Sequence, residues 1–336
     1  MTGEGATRVA ATPATLGRGP DLSVSVVVPV YGGEKLLEPL VDRLGAALSG
    51  RDYEIVLVND GSPDDSWRRV LELCKTRPRL RGLDLARNYG QHNALLAGVR
   101  AAEKEVVVTM DDDLQHPPEE VPKLLDRLES GIDIVYALPR QRAHGFWRNV
   151  SARLTRFVIG GAVGIELADK VSAFRAFRTE LRDSFAYFQG PYVALDVLLS
   201  WSTTRVATVQ FEHDPRRDGE STYSFMKLVG TALTMATGFS TRPLRLASLL
   251  GLIMTFFGLI LFVGVVVGHF VRGSGTIPGF SFLASTIVIF SGVQLFTLGV
   301  IGEYIARMHV RLMDRPTYAV REEVRSRAGV EQNAPR

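Results

Sequence analysis

Residues 106–115 read Val-Val-Val-Thr-Met-Asp-Asp-Asp-Leu-Gln, an apolar run that ends in three consecutive acids. A continuous β-branched run is typical of a strand buried on both faces, as in a parallel sheet covered by helices. Charged groups directly after such a strand lie at its carboxyl end, where open α/β sheets bind their ligands. The stretch therefore predicts an α/β fold with an acidic site at one edge of the sheet.

The flanking sequence repeats the same alternation of strand and helix. Other β-branched runs lie at Val24–Val30, Glu54–Asn59, Arg81–Leu85, Glu105–Asp111 and Asp133–Leu138, and segments with helical spacing separate them at Glu34–Ser49, Asp64–Lys75, Gln91–Ala102 and Glu119–Glu129. This order predicts a doubly wound, mainly parallel sheet. We expect a further strand at Arg205–Glu212 and an amphipathic, interfacial helix at Phe225–Phe239.

Two long apolar segments follow this α/β region. Leu246–Phe270 and Phe280–Gly302 contain no Asp, Glu, Lys or Arg, and each exceeds the roughly 20 residues needed to cross a bilayer. Basic residues flank the pair on the same side, at Arg242, Arg245, Arg307, Arg311 and Arg315. The positive-inside rule then places both termini in the cytoplasm, and we expect the two helices to lie in the inner (plasma) membrane.

Composition excludes several classes of protein. The chain of 336 residues has one cysteine, which rules out an internal disulfide scaffold and a cysteine-rich zinc module. A net charge of +3 is too small to indicate nucleic-acid binding. We expect a disordered tail over 1–20, a cytoplasmic domain over 21–224, an amphipathic juxtamembrane segment over 225–245, a membrane region over 246–305 and a cytoplasmic tail over 306–336.

The three acids after the predicted strand favour a divalent cation. If the segment stays extended, Asp111 and Asp113 face the same side and share one Mg²⁺ or Mn²⁺. Such ions complete their shell with water and substrate phosphates, which indicates a phosphorylated substrate. The alternative is that the acids only decorate the start of the helix that follows Pro117.

Two other strand ends carry polar or aromatic groups. Asp60 ends the second strand and is suited to accept a hydrogen bond from a base or ribose, although Asp before Gly is also common in turns. Tyr31 ends the first strand and offers a ring for a nucleobase, or simply packs. No dinucleotide-binding or P-loop glycine pattern follows a strand.

Four segments together resemble the family 2 glycosyltransferases of the GT-A type. They are Val28-Pro29-Val30-Tyr31, Val58-Asn59-Asp60-Gly61-Ser62-Pro63-Asp64, Ala86-Arg87-Asn88-Tyr89-Gly90 and Asp111-Asp112-Asp113-Leu114-Gln115-His116-Pro117. The later segments at 215–224 and 239–244 are similar to those of membrane-bound polyprenyl-phosphate glycosyltransferases. Among these are dolichol-phosphate mannose synthases, bactoprenol glucosyltransferases and undecaprenyl-phosphate aminoarabinose transferases.

The resemblance implies a role for each matching residue. Asp111 and Asp113 match the metal- and diphosphate-binding acids, and Asp112, Gln115, Asp60, Pro29 and Tyr31 match the nucleotide-sugar side. For the acceptor phosphate we expect Arg175, Arg216, Arg217, Ser221 and Tyr223, with Arg217 counted as catalytic alongside Asp111 and Asp113. Asn59 stands where many members have a second Asp, and Gly32-Gly33 replaces the usual Asn-Glu.

The implied reaction is an inverting transfer of a sugar, first expected from a UDP-hexose, to an undecaprenyl-type phosphate, giving a lipid-linked sugar for cell-envelope glycosylation. GDP-mannose is the alternative donor. The alternative to an enzymatic function is a membrane scaffold that keeps the fold without catalysis. We also expect the protein to form a homo-oligomer. A processive polysaccharide synthase is disfavoured because no tryptophan follows an arginine in an acceptor motif.

Overall fold

The computed structural model describes residues 22–128, 131–139, 171–190, 193–211, 242–272, 279–313 and 315–326. Its strands are β1 (Val24–Val30), β2 (Tyr53–Asn59), β3 (Leu80–Leu85), β4 (Val106–Thr109), β5 (Ile134–Pro139), β6 (Arg175–Arg178), β7 (Val206–Phe211) and β8 (Val320–Arg325). Its α-helices are α1 (Leu37–Ala47), α2 (Ser66–Thr76), α3 (Gln91–Ala101), α4 (Val121–Arg127), α5 (Leu195–Ser202), α6 (Arg242–Arg272) and α7 (Gly279–Leu312). Short 3₁₀ turns lie at Pro118–Glu120 and Thr179–Phe185.

Within the described residues the eight strands form one sheet in the order β7-β5-β6-β4-β1-β2-β3-β8. The central strands β4, β1, β2 and β3 are parallel, and β6 and β8 run antiparallel to their neighbours. The expectation of a mainly parallel α/β sheet is therefore confirmed. The parallel strands place their carboxyl ends at one edge, where the acids follow β4.

Helices cover both faces of the sheet, as the buried runs predicted. Val26 and Val28 of β1 pack into one core with the apolar faces of α1, α2 and α4. Val27 points the other way, into a second core with α3 and α5. Because side chains alternate along a strand, a near-continuous apolar run such as residues 26–28 fills two cores at once.

Helices α6 and α7 cover the two apolar segments, which confirms the prediction of two long apolar helices. Candidate membrane spans lie at Leu244–Gly264 and Ile289–Leu312, with mean hydropathies of 2.5 and 1.4. Only 6% and 0% of these windows are buried within the protein, unlike the core helices of a soluble domain. The two helices touch at Gly258, where an added Cβ would lie 2.5 Å from the Phe290 ring. Exposed apolar surface of this extent needs a bilayer around it.

Candidate active site

The three acids lie in a turn, not in an extended segment. Strand β4 ends at Thr109, the chain turns at Asp112, and Leu114 takes a left-handed φ of +60°. The Asp113 carboxylate stabilises this turn by accepting a 3.0 Å hydrogen bond from the Gln115 amide. The condition of an extended segment is therefore not met, and sharing of one cation by Asp111 and Asp113 stays a prediction that must hold within this turn.

Asp112 joins the acidic turn to the end of β1. Its Oδ2 accepts a hydrogen bond of 3.3 Å from the Tyr31 amide. It also lies against Gly33, where a Cβ would come within 2.5 Å of that oxygen. Burial, assisted by the charges of Asp111 and Asp113, raises the pKa of Asp112 to about 6. Asp112 thus acts as a tie between two strand ends.

Asp111 faces a more polar environment. Gln91, at the start of α3, donates a 2.5 Å hydrogen bond to Asp111 Oδ1, and His116 Nδ1 lies 3.9 Å from the other oxygen. The pKa of Asp111 is raised, chiefly by burial and also by the charge of Asp113, against the opposing influence of His116 and Arg175. The carboxylates therefore repel one another in a partly buried turn, a situation that a bound cation relieves.

The donor set fits a divalent cation that takes part of its coordination shell from a ligand. Asp111 and Asp113 supply the hard oxygen atoms that Mg²⁺ and Mn²⁺ prefer. Among the residues that the structure describes, no three His, Cys, Asp or Glu side chains gather into a complete metal site. Two carboxylates would therefore need water and phosphate oxygens to complete the shell, which is the usual arrangement for magnesium.

Asp60 organises the neighbouring edge of the sheet. Both of its oxygens accept backbone hydrogen bonds, 2.7 Å from the Tyr89 amide and 2.8 Å from the Gly90 amide. Burial raises the pKa of this carboxyl, and the two amide hydrogen bonds partly offset the rise. Asp60 thereby fixes the loop between β3 and α3 against the end of β2.

The remaining residues predicted on the nucleotide side lie near the same edge. Tyr31 is 57% exposed, so its ring is available to a ligand while its amide binds Asp112. Pro29 lies within buried β1, directly before this end, and Gln115 is half-buried beyond the acidic turn. The structure therefore brings Pro29, Tyr31, Asp60, Asp111, Asp112, Asp113 and Gln115 to the carboxyl ends of β1, β2 and β4.

Arg175, which was expected at the acceptor phosphate, lies buried in β6. Its side chain is 1% exposed; Nη1 is paired with Asp196 and Nε donates a 3.0 Å hydrogen bond to Thr109 Oγ1. Burial alone would lower the pKa of the guanidinium, but Asp196, Tyr136 and Asp111 together raise it. With Nε and Nη1 engaged in the core, the assignment of Arg175 to the acceptor phosphate stays a prediction from sequence. Arg175 lies close enough to Asp111 for its positive charge to lower the pKa of that residue, so it favours the ionised form of the Asp111 carboxyl.

The other residues expected at the acceptor side, Arg216, Arg217, Ser221 and Tyr223, lie outside the described residues. Sequence reasoning also missed two members of the site, Gln91 and Asp196. Gln91 begins a helix directly after the Tyr89-Gly90 segment, which was a usable signal. Asp196 lies in a largely apolar stretch and gives no sign of its buried partner.

Comparison with known proteins shows the family of this chain. Residues 25–185 match the family described as Glycosyl transferase family 2. The undecaprenyl-phosphate 4-deoxy-4-formamido-L-arabinose transferase of Aeromonas hydrophila is 33% identical over 307 residues, which cover 90% of this chain and 94% of the relative. The chain is a family 2 glycosyltransferase of the polyprenyl-phosphate sugar transferase group.

Two further comparisons agree with this membership. The transferase of the same name from Enterobacter sp. is 34% identical to this glycosyltransferase, over 90% of its chain and 93% of the relative. The crystal structure of glucosyl-3-phosphoglycerate synthase from Mycobacterium tuberculosis, in complex with Mn²⁺, UDP and glucosyl-3-phosphoglycerate, superposes with a TM-score of 0.50 at 21% identity. That match covers 65% of this chain and 78% of the synthase, and it shows that the two share the GT-A fold.

Proposed function

We propose that this glycosyltransferase moves a sugar from a nucleotide diphosphate to an undecaprenyl-type phosphate, with inversion at the anomeric carbon. The observation that carries the proposal is an acidic turn at the open edge of the sheet in a chain with two exposed apolar helices. An acidic edge suits a nucleotide-sugar with a cation, and apolar helices keep the enzyme beside a lipid acceptor. The names of the two relatives support the same pair of substrates.

The donor sugar is the finer part of the proposal. We retain a UDP-linked sugar as the donor, with a UDP-hexose as the first expectation from sequence and GDP-mannose as the alternative. The names of the relatives add 4-deoxy-4-formamido-L-arabinose to the sugars worth testing. All three donors present the same diphosphate to the acidic turn, so they differ in contacts at the sugar and the base.

On the donor side, Tyr31 and Asp60 would flank the nucleoside, with Asp60 acting largely through the loop that it holds. A divalent cation held by Asp111 and Asp113 would neutralise charge on the leaving diphosphate. Asp112 keeps the turn against β1, so the acids are oriented before the donor arrives. Preorganisation of this kind lowers the cost of aligning the reacting groups.

On the acceptor side, no general base is required. A phosphate monoester has a second pKa of about 6 and is mostly ionised at neutral pH. The site instead needs cations that hold the anionic nucleophile in line with the anomeric carbon, and we assign this role to Arg216 and Arg217. Ser221 and Tyr223 would add hydroxyl donors. One displacement inverts the anomeric centre.

The proposed membrane arrangement rests on the arginines that flank the two apolar segments. Arg242 and Arg245 precede one apolar segment and Arg307 and Arg311 follow the other. We propose that α6 and α7 cross the inner membrane with the sheet and both termini in the cytoplasm. A homo-oligomer remains a prediction from sequence, to be measured by the mass of the detergent-solubilised enzyme.

The test is transfer of label from nucleotide-sugars into organic-extractable lipid by membranes that contain the full chain, with polyprenyl phosphate and Mg²⁺ or Mn²⁺. The wild type should label lipid with one donor, and Asp113→Asn should lose at least about a hundred-fold of that rate. Asp126→Asn is the matched control, because Asp126 pairs with Arg51 on an exposed face of α4, away from the acidic turn. If the wild type labels no lipid with any donor while remaining folded, the scaffold alternative gains and the proposal fails.

A further inference from the structure

Strand β8, which follows the second apolar helix, belongs to the catalytic sheet. It pairs antiparallel with β3 over Arg81↔Arg325 to Leu85↔Val320. The pairing extends beyond β3, where the Ala86 amide donates a 2.9 Å hydrogen bond to the Ala319 carbonyl. From sequence this segment was expected to belong to a cytoplasmic tail over 306–336; four of its six residues Val-Arg-Glu-Glu-Val-Arg are charged.

Arg321 of β8 reaches the carboxyl end of β3. One guanidinium nitrogen donates a 3.3 Å hydrogen bond to Asp84 Oδ2, and the other donates a 2.6 Å bond to the Ala86 carbonyl. The Asp84 side chain is only 4% exposed, so this arginine contacts a buried carboxylate from the surface. A guanidinium is suited to such paired contacts because its donors have a fixed fork geometry.

Asp84 connects Arg321 to the residues on the nucleotide side of the site through a second hydrogen bond. Its other oxygen, Oδ1, accepts a 2.7 Å hydrogen bond from Asn59 Nδ2 at the end of β2. Asn59 directly precedes Asp60, and its own side-chain oxygen accepts from the Ser62 amide. Asp60 in turn holds the amides of Tyr89 and Gly90, in the loop that begins at Ala86.

The two loops joined in this way are also in direct contact. A Cβ at Gly61 would lie 2.6 Å from the Asn88 amide nitrogen and 2.7 Å from the Arg87 carbonyl carbon. Movement of one loop is therefore transmitted to the other, because no space separates them. Arg321 contacts the loop from Ala86 to Gly90 at its first residue, and Asp60 binds it at its end.

We propose that Arg321 is a positioning residue that sets the nucleotide-binding edge of the site from the strand that follows the membrane helices. This inference rests on the proposed function, in which Asp60 and the loop beside it lie at the nucleoside. Arg321 acts through Asp84 and Ala86, so it shapes donor binding equally in the ground state and the transition state. Loss of such uniform binding raises KM and leaves kcat unchanged.

The test is steady-state transfer by the full chain in membranes. Arg321→Ala should raise KM for the nucleotide-sugar on the order of ten-fold, with kcat within about two-fold of wild type. Arg321→Lys keeps the charge but loses the paired contact, so its KM should be intermediate. Arg325→Ala is the matched control: the same residue type on the same strand, paired with Glu103 and Glu323 near the opposite end of β3. Its KM should equal that of wild type.

A second variant tests whether Arg321 acts through Asp84. In an Asp84→Asn background, Arg321→Ala should raise KM by a smaller factor than in the wild type, since the charged partner is absent and only the contact with the Ala86 carbonyl is lost. If Arg321→Ala does not accumulate in folded form, Arg321→Lys decides, because it retains the charge. Equal donor KM values for the Arg321 and Arg325 variants would overturn the inference, as would a fall in kcat at constant KM.

The same variants separate this inference from the proposed function. If wild-type membranes transfer no sugar, the proposed function fails, and binding of UDP and GDP to the purified full chain still tests Arg321. Weaker binding by Arg321→Ala than by Arg325→Ala would then support the positioning role. Equal binding, or no nucleotide binding by the wild type, would refute it.

Discussion

Substitution of Gly33 by alanine should reduce sugar transfer by displacing the acidic turn. A methyl carbon at Gly33 would lie 2.5 Å from Asp112 Oδ2, whereas ordinary contact begins at 3.4 Å, so the carboxylate must move by about 0.9 Å. The backbone of Gly33 is not left-handed, so alanine adds no conformational strain there. The perturbation is therefore almost purely a displacement of Asp112.

The displacement has a predictable magnitude. Asp112 ties the turn to the Tyr31 amide, and the turn carries Asp111 and Asp113. A misplacement of 1 Å caused by a substitution outside the reacting groups can cost about a hundred-fold in rate, which corresponds to roughly 2.7 kcal/mol of barrier. We expect Gly33→Ala to lose about a hundred-fold in lipid-linked sugar formation, with little change in thermal unfolding.

Two comparisons isolate the cause. Gly32→Ala meets open space but has a φ of +72°, so it should lose about 1–2 kcal/mol of unfolding free energy and keep most of its activity. In an Asp112→Ala background the nearest remaining Asp112 atom is Cβ at 3.8 Å. Gly33→Ala should then have no further effect on the residual rate in a radiolabel assay. Near wild-type activity of Gly33→Ala, or an undiminished loss in the Asp112→Ala background, would refute the reasoning.

Three further predictions concern the stability of the sheet domain. Asp196→Asn leaves buried Arg175 without its charged partner and should lower the unfolding free energy by about 3 kcal/mol in a denaturant titration. Burial raises the pKa of Cys74 to about 11, so a maleimide should label this thiol only after unfolding. Arg43 binds Glu119 in a paired contact that lowers the carboxylate's pKa. Glu119→Gln should therefore cost less than about 1 kcal/mol at pH 7. The folded pKa is the lower one, so that cost should vanish in thermal scans as the pH falls through it.

The parallel half of the fold was predictable because its strands fill two cores. Val24–Val30 matches β1 to the residue, and the other predicted strands differ from the observed ones by one or two residues at their ends. Strand β6 was not predicted, since Arg175 and Arg178 bracket only two apolar residues. Both arginines are buried in the structure because distant groups satisfy them. Sequence patterns contain no information about such partners.

The candidate site likewise has one part that the sequence predicts and another that depends on tertiary packing. Its acids were predictable from their position after a buried strand, and so was their side of the sheet. Their orientation was not, because the turn depends on the left-handed φ of Leu114 and on the Gln115 amide. The contacts of Asp60 and Asp112 with backbone amides are long-range and follow from the packing of loops that no local rule specifies.

The placement of β8 bears on how the site proposed to lie in the cytoplasm would reach a lipid acceptor in the bilayer. Helix α7 ends at Leu312 and β8 begins at Val320, so the link spans at most roughly 28 Å even when fully extended. Strand β7 precedes α6 in the chain and lies at the opposite edge of the sheet from β8. In chain order, the two apolar helices therefore lie between the two edge strands of one sheet. On the proposed membrane arrangement, the short link from α7 would keep the β8 edge of the sheet close to the end of that helix, and with it the loop from Ala86 to Gly90 that Arg321 contacts.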